Sequence, residues 1–244
     1  MVQKLSTTVL SNSNDLSTFL PLHYQKSTDF LEQMDASIKN WDDAWEEMIY
    51  CVLAGTQVST NIVKKSYLNL IDSIPEVTDY NYIATNPEKY ADEISSVLHK
   101  NGYRFYSTKS MTIINAAKFF HNFVEKYQDI KQFNPHEARK ILIQNINGIG
   151  NKIASHWIRN IGHQMPIIDV HVRRVLCCAG FIDKKYLKNQ ISDSEYQYIE
   201  NVVVDLAKRI NIDVGRLDYI LWIHGREYCI RRNCSSCPIG ENNV

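Results

Sequence analysis

Residues 144–176, QNINGIGNKIASHWIRNIGHQMPIIDVHVRRVL, decide how this chain reads. Upstream of the glycines, Ala138, Leu142 and Ile146 step by four, the spacing of one helix face. Downstream, Ile153, Trp157, Ile158 and Ile161 mark the face of a second helix. Between them stand Gly148, Ile149 and Gly150, with Lys152 two positions further on. Two helices joined by a tight Gly-x-Gly turn form a helix-hairpin-helix. Both glycines are expected at positive φ, close to a ligand. The turn would present N–H groups at the start of the second helix, where a DNA phosphate fits. A Gly-x-Gly between helices is equally a plain tight connection, so the turn alone does not decide the function.

Working outward, the pattern G-I-G-N-K followed by P-I-I-D-V-H-V resembles the helix-hairpin-helix DNA glycosylase superfamily, which holds endonuclease III and the 8-oxoguanine glycosylases. The segments H-W-I-R-N-I-G and L-D-x-x-L-W are similar to the archaeal-type 8-oxoguanine enzymes. The resemblance implies that Lys152 is a Schiff-base nucleophile and Asp169 the catalytic carboxylate, 169 − 152 = 17 positions apart. It also implies that Gly148, Ile149 and Gly150 bind DNA. Gln57, in A-G-T-Q-V-S-T, looks like the family's inserting glutamine, which fills the hole left by a flipped nucleotide. The extruded base needs an aromatic wall, for which Trp222, Trp45 and Tyr50 are the candidates. Aromatic residues at helical spacing are also ordinary core residues.

The chemistry suits these residue types. A lysine in the first turn of a helix feels a dipole that disfavours the ammonium. Its neutral amine attacks C1′, displaces the base and leaves a Schiff base, from which β-elimination nicks the strand. Breaking the glycosidic bond builds positive charge on the sugar, and a nearby carboxylate stabilises it. An aspartate directly before a helix is also an N-cap, and Asp169 can serve in both roles.

The chain has 244 residues, enough for one good core or two small ones. A hydrophobic content of 44% and a charged content of 22% are those of a globular protein. The formal net charge is zero, whereas a non-specific DNA binder is usually basic. Binding must then rest on local patches: Lys64 with Lys65, Arg139 with Lys140, Arg173 with Arg174, and Arg231 with Arg232. No apolar run approaches the roughly 18 residues that cross a membrane, and the N-terminus lacks a secretory apolar region. The expectation is a cytoplasmic, nucleoid-associated monomer acting on double-stranded DNA. Cys51, Cys177 and Cys178 lie among apolar residues and read as buried thiols.

Along the chain no segment alternates as a strand does, so an all-α fold is expected. Ser27 is placed as a helix cap, Asn86-Pro87 and Asn134-Pro135 as helix starts, and Ser192 with Glu195 as a capping box. Asp213 should cap the last helix, while Gly102 and Gly180 end two others. A long helix over 107–125 should turn Met111, Ile114, Ala117 and Phe120 inward. Residues 1–25 read as a loosely ordered arm. The resemblance implies two helical lobes with the DNA and base site in the cleft between them. One lobe covers 52–161 and the other 26–51 plus 162–244.

The C-terminal H-G-R-E-Y-C resembles the start of the iron–sulfur loop of endonuclease III, where the pattern is C-x6-C-x2-C-x5-C. Here only four residues separate Cys229 from Cys234, while Cys234 and Cys237 keep the x2 spacing. The fourth place falls on Asn243, a poor iron ligand. Three outcomes stay open: a 4Fe-4S cluster completed by Cys177 or Cys178, a Cys3His zinc site using His224, or no metal. The glycosylase chemistry itself requires none.

Three functions are consistent with these residues. The first is a bifunctional DNA glycosylase and abasic-site lyase that removes 8-oxoguanine or an oxidised pyrimidine. The second applies the same chemistry to modified bases of foreign (phage) DNA, as defence. The third is a non-catalytic helix-hairpin-helix module, against which Lys152 and Asp169 both argue, because phosphate binding needs neither.

Overall fold

The computed structural model describes residues 23–30, 32, 38, 40–55, 58–123, 134–229 and 237. Among them every regular element is helical. In chain order these are α1 (23–30), α2 (Trp41–Ala54), α3 (Thr60–Ser73), α4 (Tyr80–Thr85), α5 (Pro87–Lys100) and α6 (Tyr106–Phe123). Then follow α7 (Pro135–Asn145), α8 (Asn151–Asn160), α9 (Val170–Cys178), α10 (Asp193–Ile210) and α11 (Val214–His224). Short 3-10 turns occupy Pro75–Thr78 and Lys184–Leu187, and a π turn occupies Gly225–Cys229. No described helix is long and apolar enough to cross a membrane.

The chain forms two compact units, one of residues 34–163 and one of residues 1–33 with 164–244. The expected boundaries at 51/52 and 161/162 need correction. Helix α2 packs on α3, α6 and α8 and belongs to the first unit. Its apolar face carries Trp45, Met48, Ile49, Val52 and Leu53, all fully buried. The periodicity reveals that face but not the partner it packs against.

In the first unit Phe120 stands between two fully buried tryptophans. Its ring lies 5.3 Å from Trp45 and 5.5 Å from Trp157. Each buried indole N–H finds a carbonyl, as burial of a donor demands. Trp45 donates to Val77 at 2.8 Å and Trp157 to Ala44 at 2.7 Å. Trp45 is therefore a core residue, with no exposed face for an extruded base. Asn40 starts α2 with a capping box closed by Asp43.

The second unit is built around the stripe Ile199, Val203 and Leu206 of α10. It packs with Val172, Val175 and Leu176 of α9 and Leu217, Ile220 and Leu221 of α11. The Ser192–Glu195 capping box is present. Helix α1 also belongs here, its Phe30 ring stacked 4.2 Å from Tyr219.

Several local expectations fail for identifiable reasons. Ser27 lies inside α1 and turns its hydroxyl back to the Tyr24 carbonyl at 2.6 Å, so it is no cap. Residues 23–25 of the expected arm are helical, and residues 1–22 lie outside the described residues. Asn86 occupies the cap position of α5, yet its amide donates to the Tyr82 carbonyl behind it. Asp213 precedes α11 without a side-chain cap bond. Met111 is 48% exposed, because α6 buries Lys109, Ser110 and Thr112 beside it instead.

Trp45→Ala should cost about 3–5 kcal/mol of unfolding free energy by denaturant titration, the range for deleting a buried aromatic. A loss under about 1 kcal/mol would remove Trp45 from the core.

Candidate active site

The hairpin forms as the sequence predicts, with α7 and α8 packed against each other across the glycine turn. The two glycines differ. Gly148 has φ of 93°, in the region that favours glycine, and a Cβ there would stand 2.3 Å from Thr112 Oγ1 of α6. Gly150 is extended, with φ of −114° and ψ of −175°, and a Cβ there would meet nothing within 4 Å. The expectation of positive φ at both is thus corrected at Gly150. Gly150 is exposed and occupies the N-cap of α8, where it supplies no side-chain bond to the first turn. The N-cap residue thus places no side-chain oxygen on that end of α8, where the helix dipole favours an anion.

Lys152 is the second residue of α8, and its ammonium donates to the Ala54 carbonyl at 3.3 Å. That carbonyl closes α2, so Lys152 rests on the negative end of one helix while rooted at the positive end of another. The approach is close because Gly55 follows. A Cβ on Gly55 would fall 2.4 Å from Ile153 Cγ1. Sequence reading missed Lys109 of α6, a lysine only 4% exposed. Burial, and then the charge of Lys152, push its amine down to about 8.

Asp169 lies in the other unit and is 9% exposed. Its Oδ1 accepts from the N–H groups of His171 at 2.8 Å and Val172 at 2.9 Å, capping α9. Oδ2 takes part in neither bond. The backbone leading into Asp169 is held from α10 and α11. Ile167 N–H donates to Asp218 Oδ1 at 3.0 Å, and Ile168 N–H donates to the Tyr196 hydroxyl at 3.1 Å. Asp218 was visible only as a letter of L-D-x-x-L-W; its burial to 1% was the missing signal.

The remaining candidates separate. Tyr50 is half-buried in the first unit, its ring 5.6 Å from Tyr67 and 6.5 Å from His156. Trp222 is half-buried in the second, with Tyr219 at 5.7 Å and the Arg226 guanidinium 5.2 Å over its ring. Gln57 and Cys234 lie outside the described residues, as do Arg231 and Arg232. Two of the expected basic-patch residues are structural. Arg139 is buried and donates to Ser155 Oγ at 3.2 Å. Arg173 is buried and donates to the Tyr186 and Lys188 carbonyls at 2.6 and 2.8 Å. Lys64, Lys65 and Lys140 are exposed.

The described C-terminal thiols pair instead of converging. Cys229 donates to Cys178, which holds Cys178 down to about 7 and pushes Cys229 up. Cys178 is accordingly only half-buried, not the buried thiol expected of it. Cys237 Sγ sits 3.4 Å from His224 Nε2. Among the described residues these four donors do not bring three ligand atoms to one point. Cys234, a ligand in both the iron–sulfur and the zinc alternatives, lies outside the described residues.

A glycine-turn hairpin carrying Lys152, followed by a helix capped by Asp169, defines a helix-hairpin-helix glycosylase architecture. A family model described as 8-oxoguanine DNA glycosylase matches residues 25–212, and the chain belongs to that family. The 8-oxoguanine DNA glycosylase/AP lyase of Sulfurisphaera tokodaii is 33% identical over 184 residues, 74% of this chain and 81% of that protein. The protein of the same name from Sulfolobus acidocaldarius is 29% identical over 199 residues, 81% of this chain and 88% of its own length. The crystal structure of the Methanocaldococcus jannaschii 8-oxoguanine DNA glycosylase superposes with a TM-score of 0.65 at 25% identity. The superposition covers 85% of this chain and 91% of that one.

Gly148→Ala should destabilise the protein by about 1–3 kcal/mol, from backbone strain and the Thr112 clash. Gly150→Ala should leave stability within about 0.5 kcal/mol and weaken DNA binding. Thermal unfolding and duplex titration separate the two, and equal stability losses would contradict this asymmetry.

Proposed function

We propose that the protein excises 8-oxoguanine from double-stranded DNA and nicks the strand, with Lys152 as nucleophile and Asp169 as electrostatic partner. The observation that carries this reading is the placement of Lys152, in a chain of this family. Its amine stands in the first turn of α8, directly behind a turn with no capping side chain. The neutral amine attacks C1′ as the glycosidic bond breaks, and the bonding pair leaves with the base, which takes up a proton. The sugar ring opens to a C1′–lysine imine. Loss of a C2′ proton then expels the 3′ phosphate, and water frees the lysine. The Asp169 carboxylate stabilises the positive charge on the sugar while Oδ1 keeps capping α9. Every step uses the chain's own residues and needs no cofactor.

The turn Gly148-Ile149-Gly150 binds a backbone phosphate, and Gln57 fills the gap left by the extruded nucleotide. Trp222 supports the base, its ring polarised by Arg226. Tyr50, set between Tyr67 and His156, is a weaker candidate for that wall. The oxidised purine is preferred to oxidised pyrimidines because the relatives above carry 8-oxoguanine in their names. The chain is read as a monomer acting on cytoplasmic, nucleoid DNA.

A duplex with 8-oxoguanine opposite cytosine should be nicked at the lesion, and borohydride should trap the protein on it through Lys152. Lys152→Gln should abolish trapping while retaining DNA binding; undiminished trapping would remove the lysine from its role. Asp169→Asn keeps Oδ1 for the cap, so folding should hold while base release falls about 100-fold or more. Activity within a few-fold of the unaltered protein would reduce Asp169 to a cap. If 8-oxoguanine duplexes stay intact while abasic DNA is cut, the lyase stands and the substrate becomes another modified base, phage DNA included.

A further inference from the structure

A second cluster of metal-ligating side chains lies within the first unit, apart from the C-terminal cysteines. Glu47 and Cys51 are one turn apart on α2, and His156 faces them from α8, which packs against α2. One ligand atom from each, a carboxylate oxygen, a thiol sulfur and a ring nitrogen, lie within 4.8 Å of one another. We propose that Glu47, Cys51 and His156 form a binding site for a zinc-type divalent cation that clamps α2 to α8.

The donor set selects the ion. Thiolate, imidazole and carboxylate together suit a borderline cation such as Zn²⁺, whereas Mg²⁺ and Ca²⁺ take oxygen. Zinc bonds of about 2.0–2.3 Å hold tetrahedral ligands roughly 3.5 Å apart. Side-chain torsions close the remaining gap, and water takes the fourth position.

The surroundings already orient the ligands. Asn160, one turn beyond His156, donates from Nδ2 to Glu47 Oε1 at 2.5 Å. Arg159 fixes that amide by donating to Asn160 Oδ1 from Nε at 3.0 Å and Nη2 at 2.9 Å. Such outer partners set the geometry of a ligand. The Cys51 thiol now donates to Glu47 Oε1 at 3.2 Å, and the cation takes the place of that proton. The proton passes to water, and thiolate plus carboxylate balance the two charges of the ion. Lys152 and Arg159 are the basic side chains nearest the site.

Metal-stripped, reduced full-length protein titrated with Co²⁺ tests the site. One equivalent should produce a thiolate-to-cobalt charge-transfer band with tetrahedral visible absorption, and Zn²⁺ should displace it. The band should persist when Cys229, Cys234 and Cys237 are all changed to serine. It should be lost in Cys51→Ser, and binding should weaken at least about tenfold in Glu47→Gln and His156→Gln. Glu47→Gln keeps the thiol and a neutral hydrogen-bonding group, so it decides the matter should the cysteine variant fail to fold. No sulfur–cobalt band in the unaltered protein, a band that survives in Glu47→Gln at full affinity, or a band lost with the C-terminal cysteines would each overturn the proposal.

Discussion

The seam between α2 and α8 is the constraint on which the hairpin depends. At one end of it the indole of Trp157 is tied to the Ala44 carbonyl. At the other, Gly55 lets the end of α2 sit directly on Ile153. With both ends held, the first turn of α8 has one place to go, and Lys152 comes to rest on the Ala54 carbonyl. The seam is apolar at Trp157 and polar at Glu47, Cys51 and Asn160. A partly polar seam fixes the register of two helices more sharply than an apolar one, because a slip leaves buried donors unpaired.

In the unit that carries Asp169 the problem is different. Residues 165–169 run as buried, non-helical backbone. Buried N–H groups need acceptors, and among the described residues there is no strand to offer them. Side chains fill that need. Asp218 and Tyr196 reach the N–H groups of Ile167 and Ile168, and Gln164 accepts from Gly215 at 3.2 Å. The carboxylate of Asp169 is aimed by this scaffold, since the segment cannot rotate without stranding donors. Gly225 completes the arrangement, because a Cβ there would meet the His171 carbonyl oxygen at 2.7 Å.

The helical class was legible because its signals are local: four-residue periodicity, the Ser192–Glu195 box, and the prolines at 87 and 135. The hairpin was legible for the same reason, its glycines and lysine being adjacent. The lobe boundary was not, because α2 shows an apolar face without stating its partner. Trp45 and Trp222 share a residue type and differ only in burial, which long-range packing sets. Likewise Gly148 and Gly150 look equivalent in the chain, and only the folded backbone and the Thr112 side chain of α6 distinguish them. Asp218, Lys109 and the Glu47–Cys51–His156 cluster join residues about 40 to 110 positions from their neighbours, beyond the reach of any short motif.

The double use of Asp169 has a consequence for how such a chain drifts over generations. Its Oδ1 starts a helix, and in the proposed function its charge serves the sugar, so two selective pressures would meet on one residue. A replacement without a side-chain acceptor loses both, the cap alone being worth about 0.5–2 kcal/mol. Asparagine, like serine and threonine, keeps an accepting oxygen, and it is reached from aspartate by one base transition in the codon. Lineages in which the damaged base has vanished from the genome therefore have a one-step route to a folded but silent descendant, and its sequence would carry asparagine in front of an intact helix.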